Sequence, residues 1–522
     1  MMMANEMKSI QRVVIFLGLL LLVAVVVGVY LFRSNTPSSL NVILISVDTL
    51  RPDRMGLSGH RPLGRSTTPF LDELAAQGVN FSNAVTTTSW TLPAHYSLMT
   101  GVPNEVHNVV QDRVPPTGGL PMIAEIMRSA GYTTGGFYSG PYLHPLFGFE
   151  RGFEFYESCM QYRTMYDVPM DEMRTLDRAA RSKLATANEF LSHKAVTSEA
   201  VTDKGLGFIE AHAEKPFFLF LHYFDVHNDY LPPPPYDTLY AHPYNGWVKG
   251  HGVTGDPRYN PEMEPADLQH LKALYDGEIA WVDHNLERLV DGIRRLDPGI
   301  LENTLIIVTS DHGESFFEHG KIGHRNHLFD SEVRIPLILF CPAKLPAGKQ
   351  VSELVRIYDI VPTITSLAGV ETPGYVRGRS LVDAIGAAGA EEPRPAVLEL
   401  TALPQGKQKF LETHSSLLHK DMKLIRVQKR RWSSRRPLDF GGPLVEEHYE
   451  LYDLRQDPGE EVDIADSRKE MVEKMKQAMQ ALHEELARES ELLRRTGGGE
   501  APVEVPEHLR RQLEELGYGG GG

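Results

Sequence analysis

Three short apolar runs, each closing on an acid, constrain this chain more than any other feature. They are Asn41-Val42-Ile43-Leu44-Ile45-Ser46-Val47-Asp48, Pro216 to Asp225 and Thr304 to His312. Continuous apolar, β-branched runs of this length read as buried parallel strands. Helical stretches separate them, notably Thr68 to Gln77 and Asp267 to Arg295; the second carries Leu271, Leu274, Val282, Leu286, Leu289 and Ile293 at near-helical spacing. Strands alternating with helices predict an α/β fold with a mainly parallel central sheet flanked by helices. Ligands in such folds bind beyond the carboxyl ends of the strands. Asp48, Asp225, Asp311 and His312 all stand at those ends.

The remainder of the 522 residues divides by texture. Val13 to Phe32 is an unbroken apolar run preceded by Lys8 and Arg12. It is long enough to cross a bilayer, and the basic flank favours a cytoplasmic N-terminus. No small-x-small site follows it, so it reads as an uncleaved anchor rather than a signal peptide. The expected organisation is a tip, anchor (13–32) and linker over 1–37, a main domain over 38–385, a small C-terminal α+β subdomain over 386–490 and a Gly-rich tail over 491–522. In the subdomain, Met422 to Ile425 and Tyr449 to Leu454 suggest an antiparallel unit, and Asp466 to Arg495 a charged amphipathic helix. A formal charge of −16 argues against a nucleic-acid partner. Cys159 and Cys341 are too few for a metal knuckle; they form one bridge or two buried thiols.

Trp90-Thr91-Leu92-Pro93-Ala94-His95-Tyr96-Ser97-Leu98-Met99-Thr100-Gly101 reads as a short helix, with Pro93 suited to its first position and Gly101 to its stop. Thr91 then sits where free N–H groups and the helix dipole favour an anion. It is either an N-cap or a nucleophile for a phosphate or sulfate ester. Asp48, Asp311 and His312 together with the Thr91 hydroxyl make a donor set for one divalent cation, which lowers the pKa of such a hydroxyl. His222, on an apolar strand, reads as a satisfied core histidine, His319 as structural and Lys321 as a solvated lysine or an anion contact.

Together these segments resemble the sulfatase family of the alkaline-phosphatase superfamily, over about residues 41–380 and again at 423–466. Val47 to Asp53 resembles the family's first metal motif, Thr91 to Gly101 its signature, Phe224 to Tyr230 a substrate-binding histidine loop, and Ser310 to Glu314 with Glu318 to His324 its second metal and leaving-group region. Arg334 to Ile338, Asp359 to Thr363 and Glu450 to Gly459 complete the match. The resemblance implies an alkaline-phosphatase-like fold and a metal-dependent ester hydrolase. Asp48, Asp311 and His312 would hold one cation (calcium, zinc or manganese), with Thr91 as fourth ligand and nucleophile. His227 would contact the ester oxygens, and His324 would serve the leaving group.

The departures from the family are chemical. Sulfatases oxidise a cysteine or serine to formylglycine; Thr91 cannot give that aldehyde, and His95 replaces the signature arginine. No formylglycine is therefore expected. A threonine ester lacks the second hydroxyl through which a formylglycine ester collapses, so it must be hydrolysed or passed to an acceptor. Ser139 and Pro141 stand where many relatives place a lysine and a histidine. Thr49 replaces a second aspartate, which favours zinc or manganese over calcium. Asp225 and Asp229 lack the histidine that a second metal needs, so one metal is expected. The reading is a single-pass, outward-facing hydrolase of sulfate or phosphate esters, with a glycan or lipid headgroup as partner. The alternatives are a phosphoglycerol- or phosphoethanolamine-type transferase and a non-catalytic polyanion binder.

Overall fold

The computed structural model describes residues 40–109, 119–160, 196–386, 394–402, 410–431 and 442–496. The apolar run at 13–32 and the Gly-rich tail beyond 496 lie outside them. Among the described residues no helix is long and apolar enough to cross a membrane.

The three acid-ended runs form the centre of the main sheet. Its strands are β1 (Asn41–Val47), β2 (Val79–Val85), β3 (Thr133–Tyr138), β4 (Phe155–Ser158), β5 (Phe217–Tyr223), β6 (Thr304–Thr309), β7 (Arg334–Phe340), β8 (Lys349–Val351) and β9 (Val355–Arg356). The order is β8-β2-β7-β6-β1-β5-β3-β4, with β9 also on β2. β1 runs parallel to both β5 and β6, whereas β7 is antiparallel to β2 and β6. The sheet is therefore mixed but mainly parallel, as the strand–helix alternation predicts.

Side-chain alternation divides the sheet between two cores. Val42, Leu44, Phe218, Phe220, Leu305 and Ile307 face one; Ile43, Ile45, Leu219, Leu221, Ile306 and Val308 face the other. The helices used below are α1 (Pro69–Ala76), α2 (Thr91–Thr100), α3 (Asn104–His107), α4 (Ser198–His212), α5 (Pro265–Leu296) and α6 (Lys469–Thr496). Leu92, Leu98 and Met99 of α2 join the first core, while α1, α4 and α5 cover the second. Both faces being covered is why these strands read as unbroken apolar runs.

The described residues from Leu40 onward form one compact unit. Its C-terminal part is an antiparallel sheet of β10 (Ala396–Ala402), β11 (Phe410–His419), β12 (Met422–Arg431) and β13 (Leu444–Asp453), in that order. Ala396, Leu398, Leu400 and Leu418 share the first core with Leu44 and Ile307, so this sheet packs on the main body. Cys159 and Cys341 are both free and buried, which removes the bridge alternative.

One buried ion cluster ties the two sheets together. Lys423 of β12 is fully buried, with Nζ 2.8 Å from both Asp330 and Glu460. Arg334 reaches Asp330 at 2.7 Å. Burial raises the Asp330 carboxyl, but Arg334 and Lys423 outweigh it and hold it at about 2. Lys423→Met leaves Glu460 without its cation and Asp330 with Arg334 alone, and a loss of about 3 kcal/mol is expected in urea denaturation. Asp330 is depressed below its unfolded value of about 3.9, so its contribution is complete above that pH and disappears as pH falls toward 2. The wild-type urea midpoint should fall across that window, and Lys423→Met should flatten the fall.

Candidate active site

Register brings the acids together. Ser46 pairs with Thr309 across β1 and β6, and Asp48 and Asp311 each follow two residues later. Both are fully buried. Asp311 Oδ1 accepts the Thr49 and His312 amides at 3.2 and 2.9 Å, which fixes its orientation. Its Oδ2 and both oxygens of Asp48 have no hydrogen-bond partner. Burial, with the Asp311 charge beside it, pushes Asp48 well above the usual carboxylate range. Unpartnered carboxylates in a dry site need a proton or a cation.

His312 supplies the nitrogen. Its Nδ1 donates to the Gly313 carbonyl at 2.9 Å, which leaves the Nε2 lone pair facing the acids. Nε2 lies 3.3 Å from Asp311 Oδ2 and 3.8 Å from Asp48 Oδ1. Burial pulls this histidine down to about 4, so the ring is neutral and able to ligate. Asp48, Asp311 and His312 each offer an atom within 4.8 Å of the others. Their donor chemistry and orphaned oxygens fit a divalent cation.

Thr91 Oγ1 completes this group, 3.3 Å from His312 Nε2. The helix begins one step earlier than the N-cap reading placed it. Trp90 is the cap, Thr91 is the first helical residue and Pro93 the third. Pro93 remains harmless there, because the first-turn N–H groups have no helical acceptor. Thr91's hydroxyl is therefore not used as the helix cap. Gly101 ends the helix at φ 73°, as its position suggests, and a Cβ there would strike Val361 and Val376. His95 is fully buried: Nδ1 donates to the Thr91 carbonyl at 2.9 Å and Nε2 accepts from Ser46 at 3.0 Å. Burial lowers it to about 4. Where the signature has an arginine, this chain has a neutral ring that ties the helix start to β1.

His324 and His227 line the same site. Their rings are 4.8 Å apart, and His324 lies 4.6 Å from His312. Burial lowers the His324 pKa, but Glu314, 3.0 Å from Nδ1, outweighs it and raises the group above its ordinary value. His227 stacks on Phe224 at 4.4 Å. The six residues expected at the site, Asp48, Thr91, His227, Asp311, His312 and His324, thus form a continuous group.

Other residues sit differently from expectation. His222 is buried but not satisfied: neither ring nitrogen has a hydrogen bond, and Nε2 lies 3.5 Å from Asp48 Oδ2. Its pairing with Ser46, two residues before Asp48, was the available signal. Ser139 is buried and bridges β3 to β5, accepting the Phe224 amide at 3.0 Å and donating to the His222 carbonyl at 2.9 Å. Lys321 is exposed. Arg325 instead stacks on Trp90 at 3.9 Å, beside the start of α2. Its loop is held by Glu332, which accepts from Ser315 at 3.0 Å and Asn326 at 3.1 Å. His319 stacks on Phe329 at 3.6 Å, a packing role.

An α/β sheet with a cation-ready acid pair at its strand ends and a hydroxyl at a helix start defines an ester hydrolase of the alkaline-phosphatase type. Residues 40–370 match the sulfatase family, and residues 317–489 match the C-terminal region of N-sulphoglucosamine sulphohydrolase. The chain belongs to the sulfatase family. Among similar proteins, the multifunctional alkaline phosphatase superfamily protein PehA of Trinickia caryophylli is 28% identical, the match covering 66% of this chain and 76% of that protein. The N-acetylglucosamine-6-O-sulfatase of Bacteroides thetaiotaomicron is 22% identical over 85% of this chain and 86% of its own. The phosphonate monoester hydrolase of Agrobacterium radiobacter superposes with a TM-score of 0.62 at 22% identity, covering 85% of this chain and 96% of that one.

Asp225 and Asp229 are committed to backbone donors. Asp225 caps the start of α4, accepting the Thr197 and Ser198 amides at 2.8 and 2.6 Å and the Thr197 hydroxyl at 2.7 Å. Asp229 accepts the Gly252 and Val253 amides at 2.7 and 3.0 Å. Asp225→Ala is expected to cost about 2 kcal/mol in urea denaturation, as loss of a helix cap, while leaving divalent-cation content unchanged by elemental analysis.

Proposed function

We propose that this chain is a metal-dependent hydrolase of sulfate or phosphate-type esters that works through a covalent ester on Thr91. The observation that carries this reading is the Thr91 hydroxyl 3.3 Å from His312 Nε2, beside Asp48 and Asp311. Asp48, Asp311, His312 and Thr91 would hold one divalent cation. Zinc or manganese suits two carboxylates, an imidazole and a hydroxyl better than calcium does. When bound, the cation supplies Lewis acidity, lowering the pKa of the hydroxyl and neutralising charge on the ester oxygens.

The chain's own groups do the rest. The start of α2 presents its positive end and free N–H groups to the anion. Arg325 and His227 contact the non-bridging oxygens. The Thr91 oxygen adds to sulfur or phosphorus as the bond to the leaving oxygen breaks. His324, whose pKa Glu314 raises, gives that oxygen a proton. A water then attacks the same centre, passing a proton to His324, now neutral, as the bond to the Thr91 oxygen breaks and Thr91 is released. The threonine ester has no second hydroxyl to expel the group, so this second attack is obligatory.

The relatives act on esters of sulfated sugars and phosphonates, and the same classes are proposed here, with a glycan or lipid headgroup as the alcohol. The apolar run at 13–32, preceded by Lys8 and Arg12, supports a single-pass anchor with the catalytic unit outside the cytoplasm. The test is turnover of aryl sulfate, aryl phosphate, phosphodiester and phosphonate monoester by the full-length protein. Chelator should abolish activity, and Thr91→Ala should lower kcat by about three orders of magnitude. His324→Ala should slow esters of poor leaving groups by about 100-fold or more and spare activated aryl esters. Full activity in Thr91→Ala would refute the nucleophile assignment; release that requires an added alcohol would make the enzyme a transferase.

A further inference from the structure

A second group of potential ligands lies away from the active site. Glu105 comes from α3, Glu399 from β10 and His483 from α6, three elements far apart in the sequence. Their ligand atoms all lie within 4.8 Å of one another. His483 Nε2 is 3.7 Å from Glu105 Oε1 and 3.2 Å from Glu399 Oε1. The Glu105 side chain is only 8% exposed, yet neither of its carboxylate oxygens has a hydrogen-bond partner. The His483 nitrogen, although close to both acids, is also without an aligned hydrogen bond.

A buried acid without a hydrogen-bond partner, set beside a second acid, destabilises a fold unless a positive charge joins them. Burial and the Glu399 charge both push Glu105 well above the usual carboxylate range, the same signature as Asp48. Beside the cluster the packing is apolar: Leu486 and Leu493 of α6 meet Val102 and Val106. Ser490 donates to the Val106 carbonyl at 3.1 Å, a further tie between α6 and α3.

We propose that Glu105, Glu399 and His483 bind a second divalent cation, zinc, as a structural staple that clamps the C-terminal helix α6 and strand β10 to α3. One imidazole and two carboxylates form a three-ligand zinc set, and the 29% exposure of the Glu399 side chain leaves a route for the ion and a coordinating water. The staple sits next in sequence to the nucleophile helix. Residues 101–103 join α2 to α3, and Asn104 Oδ1 accepts from Ser97 of α2 at 3.2 Å. The cation thus fixes the far end of the helix whose start carries Thr91, without touching substrate.

The test uses the full-length protein stripped with chelator, titrated with zinc chloride and desalted. Zinc content is measured by inductively coupled plasma mass spectrometry and Tm by differential scanning fluorimetry. Glu105→Gln and His483→Gln are compared with wild type, each checked for native circular dichroism. Glu105→Gln removes a buried charge in a near-isosteric way, so its metal-free form is expected to fold at least as well as metal-free wild type. Each variant should hold one equivalent of zinc fewer than wild type. The zinc-induced rise in Tm should shrink by about 3 °C in both, consistent with loss of one saturated site. Unchanged stoichiometry in both variants, or an undiminished rise in Tm, overturns the staple. The Asp48 and Asp311 cluster is intact in both variants, so the result is independent of the catalytic reading.

Discussion

Asp48 places two carboxylate oxygens in a fully buried site with no hydrogen-bond donor for either. The rest of the active site follows from that imbalance. A carboxylate so placed is stable only with a proton or a cation, and the neighbouring Asp311 and His312 offer atoms that fit a cation. Asp311 is oriented by two backbone amides, and His312 is locked by its own backbone contact with Nε2 turned inward. The sheet makes this possible, because adjacent parallel strands deliver Asp48 and Asp311 to the same level. Even the second sheet shares the first core, so the strand ends are held from both sides.

Threonine sets the character of the chemistry. A formylglycine hydrate resolves its ester internally; Thr91 has nothing with which to do so. In the mechanism proposed above the burden would move to the second attack, and therefore to the groups beside the site that can carry protons, His324 with Glu314 and the neighbouring His227. His95 marks the same divergence. In place of an arginine, a neutral buried ring binds the Thr91 carbonyl to Ser46 of β1, fixing Thr91 to the strand that carries Asp48.

Much of this was legible in the sequence because it is local. Apolar runs ending on acids announce buried strands and the residues at their ends. Helix Pro265–Leu296 is readable from periodicity, and Gly101 from the stop it provides. The start of α2 was misplaced because Trp90, an uncharacteristic cap, stands where a polar residue is expected. What stayed hidden depends on register and closure. His222 meets Asp48 only because β5 pairs with β1 in one particular alignment. Arg325 reaches Trp90 only because Glu332 folds its loop back. Glu105, Glu399 and His483 share no local pattern at all; three distant elements must pack before they meet.

The central claim is that Thr91 becomes covalently esterified during turnover, and rapid acid quenching followed by peptide mass spectrometry tests it most directly. Metal-loaded protein mixed with excess aryl sulfate or phosphodiester should yield the Thr91 peptide heavier by the transferred group. The adduct should localise to Thr91 by fragmentation, form within the first turnover and be absent from Thr91→Ala. An unmodified Thr91 peptide at every time point of an actively turning-over reaction, or an adduct on another residue, would contradict the account.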